Sequence, residues 1–194
     1  MIAALYVEAG GVYTDVADVD TWDIARDART YPGPWPVVAH PPCNRWCQLA
    51  PVNAARYGTP IGDDDGTFAA ALAAVRRWGG VLEHPAYSLA WPRFDLPTPR
   101  RGAWTQSLTD PGMVTEISQV MYGHRARKRT WLYAVGVQPL DLQWGERPGR
   151  VVVGAGVHTG ECAGRGRAER DVRTPPAFRD VLVTLARSAV TVGR

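Results

Sequence analysis

Lysine, cysteine and long apolar runs are all scarce in this sequence, and each scarcity excludes a class of protein. Three cysteines cannot all pair with one another, so we expect free thiols in a reducing compartment, not a disulfide scaffold. No apolar run approaches the roughly 20 residues that a membrane span requires, so we expect no membrane contact. Residues 1–11 lack a basic segment and a long apolar segment, which predicts no signal peptide and a location in the cytoplasm of the host cell.

The rest of the composition is that of one folded domain. The chain has 194 residues, of which 45% are hydrophobic and 21% are charged, and these values favour a globular core over disorder. We therefore predict a single compact domain over residues 1–194. The net charge is +3, and Lys128 is the only lysine among 22 basic residues. A GC-rich genome explains most of this arginine excess, although arginine also suits bidentate contacts with phosphates and bases.

Apolar patterns and turn residues divide the chain into alternating strands and helices. Short apolar runs bounded by glycine or proline predict strands at residues 2–7, 37–39, 81–82, 130–137 and 150–153. Helical spacing of apolar residues predicts helices at residues 20–31, 67–78 and 175–189. The remaining segments are predicted as turns at residues 48–66, an irregular loop at 86–111, and either a helix or a strand at 113–122.

This alternation predicts an α/β domain with a mainly parallel sheet of about five strands flanked by helices. In such sheets the ligand crevice lies beyond the carboxyl ends of the strands. Gly10, Gly11, Cys43 and Glu83 each follow the end of a predicted strand. If these strands are neighbours, the four residues meet in one crevice, which is the predicted site.

Cys43 and Glu83 are the two side chains whose chemistry suits that crevice. A loop cysteine after Pro41 and Pro42 can act as a nucleophile, and Arg45 can supply the charge that activates it. A glutamate at the next strand tip can hold a hydrogen-bonding edge of a substrate or transfer a proton. Taken singly, a small buried thiol and a surface carboxylate remain the alternative interpretations.

Two segments around these residues resemble motifs of the DNA cytosine-C5 methyltransferases. Residues 38–43 (VAHPPC) are similar to the Pro-Cys nucleophile loop of that family, and residues 82–85 (LEHP) are similar to its Glu-Asn-Val segment. Weaker likenesses lie at residues 5–11, for the cofactor-binding motif, and at residues 174–186, for the last motif.

A third segment, residues 122–129 (YGHRARKR), resembles the Gln-x-Arg-x-Arg segment of the same family. Arg125 takes the place of the glutamine, and Arg127 and Arg129 match the two arginines. Taken alone, a basic run of this kind is typical of a solvated turn. Its position after the other two motifs, in the family's order, favours contact with a base or a phosphate.

The resemblance implies a Rossmann-like methyltransferase fold in which each matching residue has a role. These roles are catalysis for Cys43, Glu83, Arg127 and Arg129, cofactor binding for Glu8, Gly10 and Gly11, and substrate or DNA contact for Pro42, Arg45, His84 and Arg125. In this chemistry a thiolate adds to C6 of a cytosine flipped out of DNA, and C5 then accepts a one-carbon unit. The implied donor is S-adenosylmethionine, no metal is expected, and such a compact enzyme would suit a bacteriophage that modifies its own DNA.

The likeness is reduced in the half that binds the cofactor. Between Gly11 and Cys43 there is room for one helix, where the family has two further strand–helix units. The stretch after Arg129 is too short for a separate target-recognition domain. Either the donor site is rebuilt from other residues or the electrophile differs. Methylene-tetrahydrofolate is then the alternative donor, with cytosine in DNA or a free pyrimidine nucleotide as the substrate.

A zinc-stabilised nucleic-acid-binding module is the alternative from another class. Cys43-x3-Cys47 and His158-x3-Cys162 together supply four ligands of a suitable type. Zinc binding would exclude Cys43 as the nucleophile, so the two hypotheses are separable. The arginines of residues 165–173 form a second basic loop, which either grips DNA or is merely solvated.

Overall fold

The structure is a computed structural model that describes residues 1–148 and 173–190. Within these ranges a seven-stranded sheet carries helices on both faces. The strands are β1 (Ile2–Leu5), β2 (Val19–Trp22), β3 (Val37–Ala39), β4 (Gly80–Pro85), β5 (Thr105–Gln106), β6 (Met113–Ser118) and β7 (Arg129–Val135). The helices are α1 (Ala50–Tyr57), α2 (Thr67–Trp78), α3 (Ala90–Arg93) and α4 (Pro176–Arg187), with 3₁₀ turns at Ala28–Thr30 and Gln119–Tyr122.

The strand order is β2-β1-β3-β4-β7-β6-β5, and the sheet is mixed. Strands β1 to β4 run parallel, whereas β7 is antiparallel to both β4 and β6, and β6 is antiparallel to β5. The α/β class is confirmed, but the mainly parallel sheet of about five strands is corrected to a mixed sheet of seven. The short connection between β6 and β7 explains the difference, because a parallel pair needs a crossover of a dozen or more residues.

Alternate residues of the central strands face two separate apolar cores, one under each layer of helices. Leu82 packs with Phe68 of α2 on one face, while its neighbour Val81 packs with Phe178 and Leu182 of α4 on the other. All of these side chains are buried. Strands covered on both faces are continuous apolar runs in the sequence, which is why such short runs predict β1, β3 and β4.

Two local predictions are wrong. Residues 20–31, predicted as a helix, instead supply part of β2 and the 3₁₀ turn Ala28–Thr30, because parallel pairing with β1 overrides a weak helical pattern. Residues 48–66, predicted as turns, contain α1, which has Pro51 in its first turn and ends at Gly58 in a left-handed conformation. Proline at the start and glycine just past the end are ordinary helix boundaries.

Several other predictions agree with the structure. The helix predicted at residues 67–78 is α2 with the same bounds, and the helix predicted at 175–189 contains α4. The ambiguous segment 113–122 forms β6 and then a 3₁₀ turn, and the predicted loop 86–111 contains α3 and β5. The strand predicted at residues 150–153 lies outside the described residues. Among the helices that the structure describes, none is long and apolar enough to cross a membrane.

Candidate active site

The strand order creates a switch point between β1 and β3. The chain leaves β1 toward β2 on one side and continues from β3 toward β4 on the other, so the loops that follow β1 and β3 diverge. Open α/β sheets bind their ligands in the crevice at such a point. A cavity of about 700 Å³ opens there, which is a usual size for a small-molecule site. It is lined by residues 6–13 and 40–43 and by Glu83, Pro85, Lys128, Arg173 and Thr174.

The structure brings six of the predicted site residues together in this cavity. They are Glu8, Gly10, Gly11, Pro42, Cys43 and Glu83. Their proximity follows from the register of the parallel strands, in which Leu5 lies opposite Ala39 and Ala39 lies opposite Leu82. The carboxyl ends of β1, β3 and β4 are therefore level with one another.

The loop after β1 makes a tight turn over residues 8–11. The backbone N–H of Gly11 donates to the Glu8 carbonyl at 3.0 Å, and Gly10 has a φ of +67°, a left-handed conformation that favours glycine. A Cβ on Gly11 would lie 2.8 Å from the Glu8 carbonyl oxygen, so another residue there would force a backbone shift. Residues 6–18 contain turns and no helix. This loop therefore differs from a phosphate-binding loop, in which a helix N-terminus supplies the N–H groups.

The loop after β3 holds Cys43 in place through backbone and side-chain contacts. The Cys43 carbonyl accepts hydrogen bonds from the N–H groups of Trp46 at 3.0 Å and Cys47 at 2.8 Å. The indole Nε1 of Trp46 donates to Asp64 Oδ2 at 2.8 Å, and the same oxygen accepts from the backbone N–H of Phe68 in the first turn of α2. The Cys43 loop is thereby tied to α2, and Cys43 lies half-buried at the cavity wall.

Glu83 is buried, and both of its carboxylate oxygens take part in hydrogen bonds. His40 Nδ1 lies 3.0 Å from Glu83 Oε2, and Gln119 Nε2 donates to Oε1 at 3.0 Å. His40 Nε2 lies 2.8 Å from the hydroxyl of Tyr13, and Gln119 Nε2 lies 2.8 Å from Thr130 Oγ1. A continuous chain of hydrogen bonds therefore runs from the loop after β1, through the ends of β3 and β4, to β7.

The charges around Glu83 keep its carboxylate ionised. Burial alone raises the pKa of Glu83, but the positive charge of Lys128, the hydrogen bond from His40 and the nearby imidazoles outweigh burial and lower the pKa to about 2. A carboxylate can only accept hydrogen bonds, so His40 must carry a proton on Nδ1. Burial raises the pKa of Tyr13 well above its ordinary value, so this phenol keeps its proton and can donate a hydrogen bond to Nε2 of a neutral His40 ring.

Cys43 is a thiol, not a thiolate, in the free protein. Burial, the negative charge of Glu83 and the neighbouring Cys47 raise the pKa of Cys43, and Lys128 offsets only part of this rise. Arg45, the predicted source of the activating charge, is half-buried and does not line the cavity. Lys128 is thus the cavity cation whose charge acts on both Cys43 and Glu83.

His84 does not line the cavity, because side chains alternate between the two faces of a strand. Neighbouring side chains of a strand point to opposite faces, so His84 points away from the face of Glu83. Its ring is buried against Phe68 and Trp91, with ring centroids 5.1 Å and 6.3 Å away. Burial lowers the pKa of His84 to about 4, so the ring is neutral near pH 7. His84 is therefore a core residue, which corrects the expectation that it contacts substrate.

The four arginines predicted at the site also lie outside the cavity wall. The Nη2 atom of Arg129 is 2.6 Å from Oε1 of the buried Glu116, so this arginine belongs to a structural ion pair. Arg125 and Arg127 are exposed, and Arg45 lies in the loop after β3 without reaching the cavity.

The pairing of β4 with β7 explains why Lys128 lines the cavity in place of its arginine neighbours. Leu132 lies directly opposite Glu83, and directly opposite residues share a face of the sheet. Even-numbered positions of β7 therefore share the face of Glu83. Lys128, the even-numbered residue just before the strand, lies on the same side. Arg129 occupies an odd-numbered position, which faces the other side, and Arg127, which precedes the strand, pairs with Glu146 at 3.3 Å.

Four residues around the site have no predicted role in the sequence: Tyr13, His40, Gln119 and Lys128. The available signals are weak, because His40 is merely adjacent to the two prolines and Lys128 is merely the single lysine. Tyr13 lies between the predicted strand 2–7 and the predicted helix 20–31, and Gln119 lies in the ambiguous segment 113–122. Only the register of the sheet brings these four side chains to Glu83 and Cys43.

The zinc hypothesis is not supported by the described residues. Within residues 1–148 and 173–190, no three His, Cys, Asp or Glu side chains are grouped so that they could hold a metal ion. Cys43 and Cys47 are free thiols. His158 and Cys162, the other half of the predicted zinc site, lie outside the described residues, as do the basic residues 165–172.

The arrangement can carry out chemistry that needs a nucleophile beside an anionic hydrogen-bond acceptor. Cys43 supplies the nucleophile, Glu83 supplies the acceptor, and Lys128 supplies a positive charge that acts on both. Comparisons with family models, with curated proteins and with solved structures find no match to this chain.

Proposed function

We propose that this protein modifies cytosine at C5 through a covalent bond between Cys43 Sγ and C6 of the base. The observation that carries the proposal is that Cys43 and the ionised, buried Glu83 line one cavity at the β1/β3 switch point. Cytosine needs such a pair, because its C6 accepts a nucleophile readily once N3 is protonated, and the protonated N3 and the amino group both donate to an anionic acceptor. The resemblance of residues 38–43 and 82–85 to cytosine-C5 methyltransferases supports the same assignment.

Glu83 recognises the cytosine edge. Each carboxylate oxygen keeps a lone pair beyond those used by His40 and Gln119, so Glu83 can accept hydrogen bonds from the amino group and from a protonated N3. Uracil and thymine present a carbonyl oxygen where cytosine presents its amino group. That oxygen would face the carboxylate without a hydrogen bond, and such an unpaired buried contact disfavours both bases.

Base binding also activates Cys43. A protonated N3 neutralises Glu83, whose charge raises the pKa of the Cys43 thiol in the free protein. The thiol then loses its proton more readily, and the nearby Lys128 stabilises the thiolate. The nucleophile is thus exposed as an anion only when its target is bound, which limits side reactions of an unliganded thiolate.

The reaction balances with protons exchanged with water. As the base binds, N3 takes a proton from water and Glu83 stabilises the resulting N–H, while the Cys43 thiol gives its own proton to water. The Sγ–C6 bond then forms, the C5–C6 double bond shifts to C4–C5, and the C4–N3 double bond becomes single. C5 is then an enamine carbon, and it bonds to the one-carbon unit as the bond between that unit and the donor breaks. Water removes the C5 proton, the Sγ–C6 bond breaks, N3 releases its proton and the sulfur takes one up, which restores the aromatic ring and the free thiol.

The turn over residues 8–11 is the place for the one-carbon donor, because it lines the same cavity as Cys43. S-adenosylmethionine bound there would supply a methyl group. Methylene-tetrahydrofolate, the alternative donor, would supply a methylene unit that takes up water to become hydroxymethyl. We take DNA as the substrate, with the target cytosine flipped out of the helix, since a stacked base cannot enter a cavity. The exposed Arg125 and Arg127 lie within three residues of Lys128 in the chain, and we expect them to contact phosphates outside the cavity, where a phosphate would replace Glu146 as the partner of Arg127.

The proposal is tested by trapping the covalent intermediate. Purified protein is incubated with a random-sequence duplex that contains 5-fluorocytosine, with each of the two donors in separate reactions. After one-carbon transfer, C5 carries fluorine and no proton, so elimination is blocked and the Sγ–C6 bond persists. Intact mass spectrometry should then show a complex of the protein, one DNA strand and the transferred unit, and the donor that yields this complex is the cofactor.

Matched variants assign the bond to one sulfur. Cys47→Ser should form the complex as the wild type does, because Cys47 is a half-buried thiol in the same loop but does not line the cavity. Cys43→Ser should form none. A complex with 5-fluorodeoxycytidine monophosphate but not with DNA would identify free nucleotides, and not DNA, as the substrate. A folded wild-type protein that forms no complex with either donor on either substrate would contradict the proposal.

A further inference from the structure

The hydrogen-bond chain beyond Glu83 carries a role that the proposed reaction leaves unassigned. His40 and Glu83 both lie at the cavity wall, with side chains only 13% and 8% exposed, and Tyr13 behind them is 3% exposed. Burying a carboxylate, an imidazole and a phenol costs several kcal/mol unless all are paired. In this chain every one of their polar side-chain atoms has a partner.

For a neutral His40 ring the carboxylate selects one tautomer, because Glu83 can only accept hydrogen bonds. Glu83 accepts from His40 Nδ1–H, and His40 Nε2 accepts from the Tyr13 hydroxyl. In the other neutral tautomer the Nδ1 lone pair would face the carboxylate, and the two groups would repel each other. The Tyr13 hydroxyl supports the Nδ1–H tautomer, because it can donate to the Nε2 lone pair.

We propose that His40 is a positioning residue that holds the Glu83 carboxylate in the orientation that receives the cytosine edge, and that Tyr13 orients the His40 ring through its hydrogen bond at Nε2. This inference rests on the proposed function. With Oε2 held by His40 and Oε1 held by Gln119, the carboxylate plane is fixed on both sides. The lone pairs that remain are then available to the ligand in the cavity that Glu83 lines.

Removal of His40 has a consequence for pH dependence that a packing residue would lack. The hydrogen bond from His40 lowers the pKa of Glu83, so its loss raises that pKa. The other groups that act on Glu83 remain, namely Lys128 before β7 and His84 on β4. Since the reaction needs an ionised Glu83, the acid limb of the rate profile should move to higher pH. If Glu83 also loses its charge near neutral pH, the pKa of Cys43 should fall, because the charge of Glu83 raises it.

Tyr13 is itself influenced by charges on α4. Besides Glu83, the groups that act on the Tyr13 phenol are Arg179 and Asp180. Tyr13→Phe removes the hydroxyl and leaves these charges in place, so it changes only the partner of His40 Nε2. We expect a smaller loss of turnover than for His40→Ala, because the hydrogen bond from Nδ1 to Glu83 remains and only the bond at Nε2 is lost.

The test combines activity with a measurement that needs no substrate. Turnover on cytosine-containing duplex DNA is measured against pH for His40→Ala, His40→Asn and Tyr13→Phe. The titration of Glu83 is followed in the same free proteins by NMR of ¹³C-labelled carboxyl groups. Asn places an amide N–H near the position of Nδ1, so His40→Asn can still donate to Glu83. Tyr122→Phe is the control. The Tyr122 hydroxyl lies outside the hydrogen-bonded group of Tyr13, His40 and Glu83, and it accepts a hydrogen bond from the backbone N–H of Gln143.

We expect His40→Ala to lower turnover by about 10-fold to 100-fold, the range that a misplaced catalytic group costs, and to raise both the acid limb and the Glu83 titration. His40→Asn should restore most of both, and Tyr122→Phe should match the wild type. Wild-type values for turnover, acid limb and Glu83 titration in His40→Ala would overturn the inference, as would a loss in His40→Asn equal to that in His40→Ala. A wild type that makes no C5-substituted cytosine would instead refute the proposed function, while the NMR titration still decides whether His40 controls Glu83.

Discussion

The ionised Glu83 makes a specific contribution to stability, and Glu83→Gln should remove it. The folded pKa of this group is about 2, below its ordinary value of 4.5. A depressed carboxylate pKa stabilises the folded state above the ordinary value, and this stabilisation is lost as the pH falls through the folded value. At 1.36 kcal/mol for each pKa unit, the gap corresponds to roughly 3 kcal/mol of unfolding free energy.

The assay compares the two proteins across that pH window. Urea unfolding followed by the fluorescence of the eight tryptophans gives the unfolding free energy at several values between about pH 6 and about pH 2. The wild type should lose roughly 3 kcal/mol more than Glu83→Gln over this window, because only the wild type has a Glu83 carboxylate to protonate. Other groups titrate in both proteins and cancel in the difference.

A second buried carboxylate provides the control. Glu116 is 4% exposed and is held by Arg129 and Trp131 away from the cavity. Glu116→Gln therefore removes a buried charge and keeps the contribution of Glu83. Parallel pH dependence for the wild type and Glu83→Gln would refute the claim that Glu83 is held ionised by Lys128 and His40.

Two further predictions follow from the same charges. Lys128→Met should move the pH dependence of Cys43 alkylation by iodoacetamide to higher pH, because the charge that lowers the Cys43 pKa is lost. The control Arg77→Met, on the exposed side of α2, should leave this pH dependence unchanged. If both variants show the same pH dependence, Lys128 does not act on Cys43. DNA binding should weaken as salt rises, with a log–log slope of about −0.9 for each phosphate neutralised. Arg127→Ala should make that slope shallower by about one if Arg127 contacts a phosphate, and wild-type binding that does not depend on salt would argue against a DNA substrate.

The sequence predicts the convergence of Cys43 and Glu83 because that convergence depends on short-range patterns. Apolar runs that stop at Pro41 or at Glu83 predict strand ends, and parallel strands in α/β folds bring such ends to one edge. The tight turn at Gly10 and Gly11 is visible for the same reason, since few residues other than glycine tolerate its geometry.

The partners of Glu83 depend on register, which local patterns do not specify. Lys128 lies at the cavity and Arg129 does not because β7 pairs with β4 so that even-numbered positions share the face of Glu83. The same pairing sets His84 against Phe68 in the core. A segment with basic residues at successive positions gives no indication of which of them faces the site.

The fold departs from prediction where tertiary pairing overrides local preference. Residues 20–31 carry a weak helical pattern, yet Val19–Trp22 pairs with β1 as an edge strand. Segment 113–122 is rich in β-branched residues and is ambiguous alone, and pairing with β7 makes its first part a strand. The pairs β4–β7, β6–β7 and β5–β6 make the sheet mixed, and β2 adds a parallel edge strand.

The central claim is that Cys43 forms a covalent bond with cytosine during transfer to C5, and the most direct measurement is mass spectrometry of nucleosides from DNA co-expressed with the protein. Wild type and Cys47→Ser should each yield a C5-substituted deoxycytidine, and Cys43→Ser, expressed and folded to the same level, should yield none. A C5-substituted deoxycytidine in the Cys43→Ser sample would contradict the covalent mechanism, and its absence from the wild-type sample would contradict the proposed activity on DNA.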